Sequence, residues 1–599
     1  STAQFGYASN SENKLYYPVT SVSDIHGNNA SYAYNLEDNY YFISRIEYNG
    51  ASIKFAYKYR TDPITSYIWS EYTAVRKCLA SVTCLHGEQT IGIYTLEHSL
   101  HNNVSHLSSI GYSAGQDSFN PIRFIYGNGN TTDGYNTDTT QLLEWYESDD
   151  KKMIKVVKGR FNYDNTDDGL IVLPNKNTCW HSYQHRTAFR KETNRLENQY
   201  TGEEKIFLYA GLSENFASPM PNLVTGTGFV DIFCADLQGK QEEFIVKVNN
   251  YQYMHLDRLS FTVYRSNLYS GLQLLYTRTY DSDTIHVDGH NVGSVQPKFF
   301  YPGDFNGDGK MEVLAVGMHN PCNDAAIPTK CYLFDLENDR TLYSGREFDF
   351  KLLLMGTDVL DEHHAINNCD RLMVFDADGD GKTDICLINE SGCHIYTFDL
   401  SEDGSMNLRL LASKNLPNRS QLANRDVFTG EFNNDGLVDL AASPQRGTTG
   451  NFHDWTIYYS SGNGKFTNSS SQGPGKPSDD GSGFVIQDVD CDGRTDLIKY
   501  DASGFDTFAT EPGLQWTTGF STPFTSANSI LVPTDINSHN TFSQLLCLYK
   551  GKVTKYSFAK NKSREQLLTG MVNSLGLIEK NEYRSLCDSP MDGGIYSYG

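Results

Sequence analysis

The sequence predicts an all-β protein: a seven-bladed β-propeller, with six blades as the alternative count, and a flanking antiparallel β-domain. Three observations predict this fold class. A short acidic pattern recurs along the middle of the 599-residue chain, and a strand-like run follows each copy. The composition, with 39 Tyr, 32 Phe and 50 Gly, favours strands and turns. Apolar and polar residues alternate near the N-terminus, as they do in half-buried strands.

The acidic pattern is intact in four copies. They begin at residues 304, 376, 431 and 488 and read DFNGDGKMEV, DADGDGKTDI, EFNNDGLVDL and DVDCDGRTDL. Weaker copies lie within 159–173, 235–248 and 534–549, and we expect them to be β-turns without a metal. A unit of roughly 50 to 70 residues holds four strands but cannot bury both faces of its sheet alone. Radial closure of such sheets protects their edges and gives a propeller.

The ligand pattern of each intact loop indicates calcium. Side-chain oxygens recur at loop positions 1, 3, 5 and 9, and a Gly at position 6 permits the sharp turn that lets them converge. Hard oxygen donors with several carboxylates are typical of calcium, whereas zinc and copper prefer Cys and His. An EF-hand would need a Glu at position 12, and here that position holds Ala315, Leu387, Ala442 and Lys499. The loops are therefore predicted to close hairpins.

The same register predicts about four Ca²⁺ sites. Their ligands, with the residue at position 7 contributing its backbone carbonyl, are Asp304, Asn306, Asp308, Lys310 and Glu312; Asp376, Asp378, Asp380, Lys382 and Asp384; Glu431, Asn433, Asp435, Leu437 and Asp439; and Asp488, Asp490, Asp492, Arg494 and Asp496. The alternative for each loop is a solvated acidic turn that holds no ion. We expect a structural role, because each site closes a hairpin of its blade. The two sets with four acids should bind more tightly than the two that contain Asn.

Charge and hydropathy exclude several classes of function. The chain carries 49 Lys and Arg against 73 Asp and Glu, a formal net charge of −24. A nucleic-acid binder would show a basic footprint instead, and so would a polybasic membrane-surface protein. No apolar stretch approaches 18 residues, so no membrane-spanning helix is expected. The N-terminus has no signal-peptide pattern, and we expect either that a signal was removed or that the sequence is part of a longer chain.

The 12 cysteines do not decide the redox compartment. No CxxC pair occurs, which disfavours a structural zinc site. Cys78 and Cys84 are predicted to share one strand, about 20 Å apart, too far for a disulfide. Cys322 and Cys331 flank a loop-like stretch and could pair; free buried thiols are the alternative.

The sequence contains three features that could suggest an enzyme or a lectin. Asp361–His364 is not an HExxH motif, and a polar loop is the better interpretation. Gly111–Gly115 spells GxSxG, but a nucleophile elbow needs a helix after the Ser, and a turn-like stretch follows here. The five Trp residues, at 69, 145, 180, 455 and 516, could stack on sugars, although core packing is the preferred explanation.

The four loops resemble the FG-GAP repeats of integrin α-subunit propellers and their bacterial relatives. The resemblance covers about 400 residues. The Phe of the short Phe-Gly signature is kept at Phe305 and Phe432 and is replaced by Ala377 and Val489. This resemblance implies a propeller whose hairpin loops bind calcium.

The flanks of the propeller resemble Rhs/YD-repeat strands, and the domain order is similar to that of the B component of bacterial insecticidal toxin complexes. Apolar and polar residues alternate over 14–59, with turns at His26-Gly-Asn and Tyr48-Asn-Gly. Residues 567–583 repeat the order found in 19–34, which is an apolar run, a turn with Gly, an alternating strand and a Tyr. We therefore predict an N-terminal β-domain over 1–150, a propeller over 151–560, and strands over 561–599 that return to the first domain. In that family a β-shell encloses a toxic polypeptide, and the propeller docks the translocation channel.

These patterns lead to one functional hypothesis and two alternatives. The hypothesis is a non-enzymatic fragment of a secreted or bacterial surface-exposed protein, whose calcium-stabilised propeller docks a protein partner such as a translocation or surface component. The first alternative is a glycan-binding propeller, and the second is a carbohydrate-active enzyme with two opposed acids in a cleft.

Overall fold

The computed structural model describes most of the chain and consists of strands, turns and loops. Its described residues contain no helix long and apolar enough to cross a bilayer. They are 2–5, 17–68, 71–101, 104–129, 134–141, 154–161, 167–174, 205–210, 223–224, 229–253, 256–267, 271–281, 284–287, 290–294, 296–318, 329–348, 371–389, 391–402, 404–413, 416–418, 420–422, 425–445, 454–462, 464–475, 483–501, 504–511, 515–523, 529–534, 543–549, 552–563 and 567–583.

The described residues divide into two compact units. The first unit comprises those of 1–131 and 561–584 together with Asp435–Leu437, and the second comprises those of 132–434 and 438–560. The first unit opens with nine strands, each antiparallel to the next along the chain. They are β1 (Thr2–Phe5), β2 (Val19–Ser23), β3 (Asn29–Glu37), β4 (Tyr40–Tyr48), β5 (Ala51–Ile68), β6 (Glu71–His86), β7 (Gln89–His101), β8 (Val104–Ala114) and β9 (Asp117–Tyr126).

The second unit contains seven four-stranded antiparallel sheets, which confirms the seven-bladed propeller. Six sheets are built from consecutive strands. Their strands are β11 (Ile154–Gly159), β12 (Gly169–Pro174), β13 (Lys205–Ala210) and β14 (Leu223–Val224); β15 (Phe229–Ala235), β16 (Phe244–Tyr253), β17 (Leu256–Asn267) and β18 (Gly271–Asp281); β21 (Gln296–Gly303), β22 (Glu312–Met318), β23 (Thr329–Asp335) and β24 (Arg340–Phe348); β25 (Arg371–Phe375), β26 (Asp384–Asn389), β27 (Gly392–Leu400) and β28 (Met406–Ser413); β29 (Val427–Gly430), β30 (Asp439–Ala442), β31 (Asp454–Ser460) and β32 (Phe466–Gln472); and β33 (Gly483–Gln487), β34 (Asp496–Tyr500), β35 (Gly504–Glu511) and β36 (Gln515–Pro523).

The seventh sheet closes the ring with a strand from the other end of the propeller sequence. Its strands are β10 (Tyr135–Gln141), β37 (Ile530–Thr534), β38 (Gln544–Tyr549) and β39 (Lys552–Phe558). Strand β10 pairs with β39 from Tyr135 opposite Phe558 to Gln141 opposite Lys552. The first propeller strand therefore begins ahead of residue 151, where the sequence pattern placed the start of the propeller. A short hairpin of β19 (Thr284–Val287) and β20 (His290–Ser294) lies between two of the blades in the chain.

The last two strands of the described residues belong to the first unit. They are β40 (Leu568–Val572) and β41 (Ile578–Lys580), and β40 pairs with β9, which makes an eleven-stranded sheet. The hairpin turns of this sheet match the sequence signals: Asn49 and Gly50, between β4 and β5, have φ of 46° and 78°, the combination that a tight turn of type I′ requires. The N-terminal and C-terminal segments are thus parts of one sheet.

The propeller core lies between neighbouring blades. Phe305, Leu314 and Leu333 of one blade pack with Leu372 and Ile385 of the next, all fully buried or nearly so. Similar clusters join other neighbouring sheets. Because each sheet buries its two faces against its neighbours, a blade gains its stability from the ring.

Several sequence motifs have clear structural explanations. Ser113 of the GxSxG spelling lies inside β8, opposite Ser118 of β9, so it is part of a strand rather than of a strand-to-helix elbow. Cys78 and Cys84 share β6, as predicted. Trp455 is 0% exposed, and its indole N–H donates to the carbonyl of Pro474, so it is a core residue.

Other motifs fall partly or wholly outside the described residues. Cys331 is buried, and its proposed partner Cys322 is not among the described residues, so the pairing stays a prediction. Asp361–His364 and three of the tryptophans, Trp69, Trp145 and Trp180, also lie outside them.

A partly buried ion pair in the first unit gives a testable pH dependence. Arg60 donates from Nη2 to Asp62 Oδ2 at 2.7 Å, and the Ser105 amide donates to the same oxygen at 2.6 Å. Burial alone would raise the pKa of Asp62, but the hydrogen bonds from Arg60 and Ser105 outweigh it and lower the pKa to about 2. Since this folded-state pKa lies below the usual value of 3.8, the pair stabilises the folded protein above about pH 4.

We expect the first unit to lose about 1 to 2 kcal/mol of stability as the pH falls from 4 to 2, after allowance for solvent screening. Asp62→Asn should remove this part of the pH dependence, whereas Asp117→Asn at an exposed position should leave it unchanged. Urea unfolding across this pH range, followed by hydrogen exchange in β5 and β8, would measure the effect. Equal acid sensitivity of Asp62→Asn and the unaltered chain would contradict the assignment.

Candidate metal loops

The four acidic loops occupy the same place in four blades: each connects the first strand of a blade to the second. They link β21 to β22, β25 to β26, β29 to β30 and β33 to β34. Each loop has a glycine with positive φ at position 6, namely Gly309, Gly381, Gly436 and Gly493, with φ between 84° and 90°. A side chain at such a φ is strained, so these positions explain how the chain reverses within the loop.

The loop at 376–384 is curled around the carboxylate of Asp376. That carboxylate accepts hydrogen bonds from the amides of Gly379 at 2.7 Å and Gly381 at 2.8 Å. Asp380 accepts a bond from the Lys382 amide at 2.8 Å. This curl brings carboxylate oxygens of Asp376, Asp378 and Asp384 within 4.8 Å of one another. The alternating acids therefore converge, which an extended strand could not achieve.

Asp384 joins the loop to the buried core. Its Oδ2 accepts a hydrogen bond from the Ala377 amide at 3.0 Å. Asp384 is 1% exposed, and its Oδ1 has no hydrogen-bond partner among the described residues. An unsatisfied buried carboxylate oxygen is costly unless something positive binds it.

The bond between position 2 and position 9 recurs in five loops of the propeller. The amide at position 2 donates to the acid at position 9 in each: Phe161 to Asp168, Phe305 to Glu312, Ala377 to Asp384, Phe432 to Asp439 and Val489 to Asp496, at 2.7–3.1 Å. All five position-2 side chains are buried in the core. Position 2 thus anchors the loop while positions 1, 3 and 5 present oxygens.

The loop at 488–496 has a second convergent set of acids. Oxygens of Asp488, Asp490 and Asp496 lie within 4.8 Å of one another. Asp488 accepts from the Gly493 amide at 3.0 Å, which repeats the curl of the 376 loop. Lys560, which follows β39, lies with its Nζ 3.6 Å from Asp490. The sequence pattern did not indicate this lysine, because it comes from another blade.

The loops at 304 and 431 keep the curl with a different set of side chains. Asp304 accepts from the amides of Gly307 at 2.7 Å and Gly309 at 2.8 Å. Glu312, the only Glu at position 9, accepts from the Asn306 amide group at 2.6 Å. In the other loop Glu431 accepts from the Asn434 amide at 2.5 Å. Within the described residues, convergence of three acids is found at the 376 and 488 loops.

In two loops the side chain at position 7 forms an ion pair with an acid of its own loop. Lys382 Nζ lies 3.0 Å from Asp380, and Arg494 Nη1 lies 3.1 Å from Asp492. Each cationic side chain thus partly neutralises the acid at position 5 of its own loop. The carbonyl ligands predicted for Lys310, Lys382, Leu437 and Arg494 stay predictions.

Burial and mutual repulsion raise the pKa values of the loop acids. Burial raises the pKa of Asp384 to about 7 and that of Glu312 to about 8. Burial also raises the pKa of Asp488 to about 6 and that of Asp496 well above its usual value, and the neighbouring acids add to both shifts. Three carboxylates at such distances favour a bound cation or a bound proton.

Two of the degenerate loops lie at least partly within the described residues. Asp236 accepts from the amides of Gln238, Lys240 and Gln241, so this loop keeps the curl. In the loop after β11, buried Asp167 accepts from Lys158 Nζ at 2.9 Å and from Thr534 Oγ1 at 3.0 Å. The side chain of Lys158 thus supplies the positive charge there. Asp535 and Asn537 of the third degenerate copy lie outside the described residues.

Comparison with known proteins identifies one repeat. Residues 431–498 match the family model of an FG-GAP-like repeat. The comparison with curated proteins finds no match.

Three solved structures match this chain at low sequence identity. A mutant Tc holotoxin pore of Photorhabdus luminescens is 12% identical over 95% of this chain and 24% of its own, with a TM-score of 0.49. The TcdB2–TccC3 structure is 11% identical over 93% and 25%, with a TM-score of 0.41. An Agrocybe aegerita lectin, described as recognising non-reducing terminal N-acetylglucosamine, is 12% identical over 62% and 80%, with a TM-score of 0.36.

The present chain spans about a quarter of the length of the two toxin chains. The FG-GAP resemblance is confirmed for one segment: residues 431–498 match an FG-GAP-like repeat and lie within a seven-bladed β-propeller.

Proposed function

We propose that this chain is part of a toxin-complex or Rhs-like protein, in which a calcium-stabilised propeller serves as a rigid, non-enzymatic docking surface for a protein partner. The observation that carries the proposal is the repeated acidic loop: every intact copy has the same anchor bond, and the copies at 431 and 488 lie within the segment that matches an FG-GAP-like repeat. The same observation supports a structural role for the cation.

The donor chemistry of the loops fits Ca²⁺. The ligand set consists of carboxylate and amide oxygens with flexible geometry, which calcium prefers. Asp384 Oδ1 supplies a buried oxygen that a cation would satisfy. Asp376, Asp378 and Asp384 would hold the ion in one loop, and Asp488, Asp490 and Asp496 in another. The bound ion would supply positive charge that cancels the repulsion among these acids.

A docking role follows from the architecture rather than from a catalytic group. The ring is closed by β10, so its blades hold one another in a fixed arrangement. Fixed surfaces bind partners with little ordering cost. Large apolar side chains are exposed on blade strands, with Leu400 68% and Leu274 58% exposed, and these positions can be tested as parts of a protein interface. The partner would be a translocation or surface component, and the chain would act outside the cell or at the bacterial surface.

A binding experiment tests the docking role. The purified chain, with calcium, is expected to capture the channel-forming component of its own native assembly. We expect Leu400→Lys, at an exposed blade position, to weaken capture at least several-fold. Leu577→Lys, equally exposed but in the first unit, serves as its control.

The signal should be measured by surface plasmon resonance, with a glycan array in parallel. Failure of the folded chain to bind the channel component would contradict docking. Saturable glycan binding would support the lectin alternative instead.

A further inference from the structure

Neighbouring acidic loops are joined to one another by a backbone hydrogen bond. The amide at loop position 8 of one blade donates to the carbonyl at position 1 of the preceding blade's loop. The bond recurs at four junctions: Thr383 to Asp304 at 2.7 Å, Thr495 to Glu431 at 2.6 Å, Met311 to Asp236 at 2.8 Å and Glu243 to Arg160 at 2.7 Å. The first two junctions each connect two predicted calcium loops, here called the upstream and downstream loops of a pair.

Close packing reinforces both junctions. A Cβ atom on Gly303 would lie 2.8 Å from the Thr383 side chain, and one on Gly430 would lie 2.7 Å from that of Thr495. In the second pair Thr495 Oγ1 also accepts a hydrogen bond from the Glu431 amide at 2.9 Å. The downstream loop is therefore in direct contact with the backbone that carries the first ligand of the upstream loop.

The linking residue lies between two ligand positions of the downstream loop. Thr383 follows Lys382, the predicted carbonyl ligand, and precedes Asp384. Its bonding partner, Asp304, carries the position-1 carboxylate of the upstream loop. Ordering of 382–384 around a cation would thus also fix the backbone of Asp304.

This connection couples the two binding equilibria. Without a cation, like charges at close range oppose the curled loop, and binding must supply the free energy that orders it. A loop whose neighbour is already ordered needs less of that free energy, so the second cation binds more tightly. The coupling is reciprocal by linkage.

We propose that the four loops act as two coupled pairs, 304–312 with 376–384 and 431–439 with 488–496, in which a cation in the downstream loop raises the affinity of the upstream loop. This inference rests on the proposed function, in that the loops bind Ca²⁺. The order within each pair follows from the acids: the downstream loops hold the convergent Asp sets, whereas each upstream loop has Asn at position 3. The downstream loop is filled first.

A site-resolved calcium titration tests the coupling. Hydrogen exchange with mass spectrometry follows the amide protection of each loop in the full chain as calcium chloride is added. Asp380→Asn weakens the downstream site of the first pair, and Asp492→Asn makes the same change at the same position of the second. Asp380→Asn should raise the calcium midpoint of the 304–312 peptide by about fivefold or more, while the 431–439 peptide keeps its midpoint. Asp492→Asn should give the reverse result.

A second variant leaves every ligand in place. Thr495→Val removes the acceptor of the Glu431 amide and should lower the coupling within the second pair. Thr383→Val is its control, since no hydrogen bond of the Thr383 hydroxyl is recorded among the described residues.

The possible outcomes distinguish failure of the coupling from failure of calcium binding itself. Upstream midpoints that stay unchanged in both Asn variants, with calcium binding otherwise intact, would overturn the coupling and leave the proposed function standing. Absence of calcium-dependent protection in every loop of the unaltered chain would overturn the proposed function and the coupling together.

Discussion

Removal of calcium is expected to lower the melting temperature of the propeller by roughly 5 to 10 °C. The reason is linkage: a cation that binds only the folded state adds about 2.7 kcal/mol per site when its free concentration is 100 times the Kd. Differential scanning calorimetry with calcium and with excess chelator would measure the shift. The two sets with four acids should contribute more than the two that contain Asn.

A matched pair of variants separates the cation from the fold of the loop. Asp376→Ala and Asp236→Ala each remove a position-1 carboxylate that accepts several backbone amide bonds. Both should therefore lower the melting temperature through lost hydrogen bonds. Asp376→Ala should also remove more than a quarter of the chelator response, whereas Asp236→Ala should leave that response unchanged. A chelator response that is absent in the unaltered chain would refute the metal proposal.

Phe305→Ala is expected to destabilise the propeller by about 3 to 5 kcal/mol. Phe305 is 0% exposed, and its ring packs edge-to-face on Phe398 of the next blade at a centroid distance of 5.8 Å. Truncation would leave a cavity between two blades, because the surrounding strands are held in place by their own sheets. Urea unfolding at saturating calcium would measure the loss.

Phe305→Ala tests side-chain packing alone, because the variant keeps the backbone hydrogen bond of the loop. The Phe305 amide, which donates to Glu312, is still present in the Ala variant. Leu400→Ala, at a position that is 68% exposed, should change stability by less than about 0.5 kcal/mol. A loss below about 1 kcal/mol for Phe305→Ala would mean that the interface between these blades repacks.

The local parts of the site could be predicted from sequence because they depend on neighbours in the chain. Glycine at position 6 and acids at positions 1, 3, 5 and 9 indicate a curled loop, and the structure has that curl around Asp376. The apolar residue at position 2, such as Phe305 or Ala377, was recognised only as part of a family signature. Its burial shows that it anchors the loop in the core.

Some partners of the loop acids could not be predicted, since they come from distant parts of the chain. Lys560 reaches Asp490 from beyond β39, and Thr534 reaches Asp167 from the closing blade. The pairing of β10 with β39 likewise joins residues from distant parts of the chain. Sequence spacing carries no signal for contacts between residues several hundred positions apart.

The sequence by itself determined the all-β class, the place of the acidic loops and a blade count of seven or six, because repeated local patterns fold into repeated hairpins. Only the tertiary structure decided where the ring closes, which acids converge, and that Thr383 and Thr495 connect one loop to the next. Those features arise when separate blades come into contact, and the free energy of that contact is set by packing between strands that are remote in the chain.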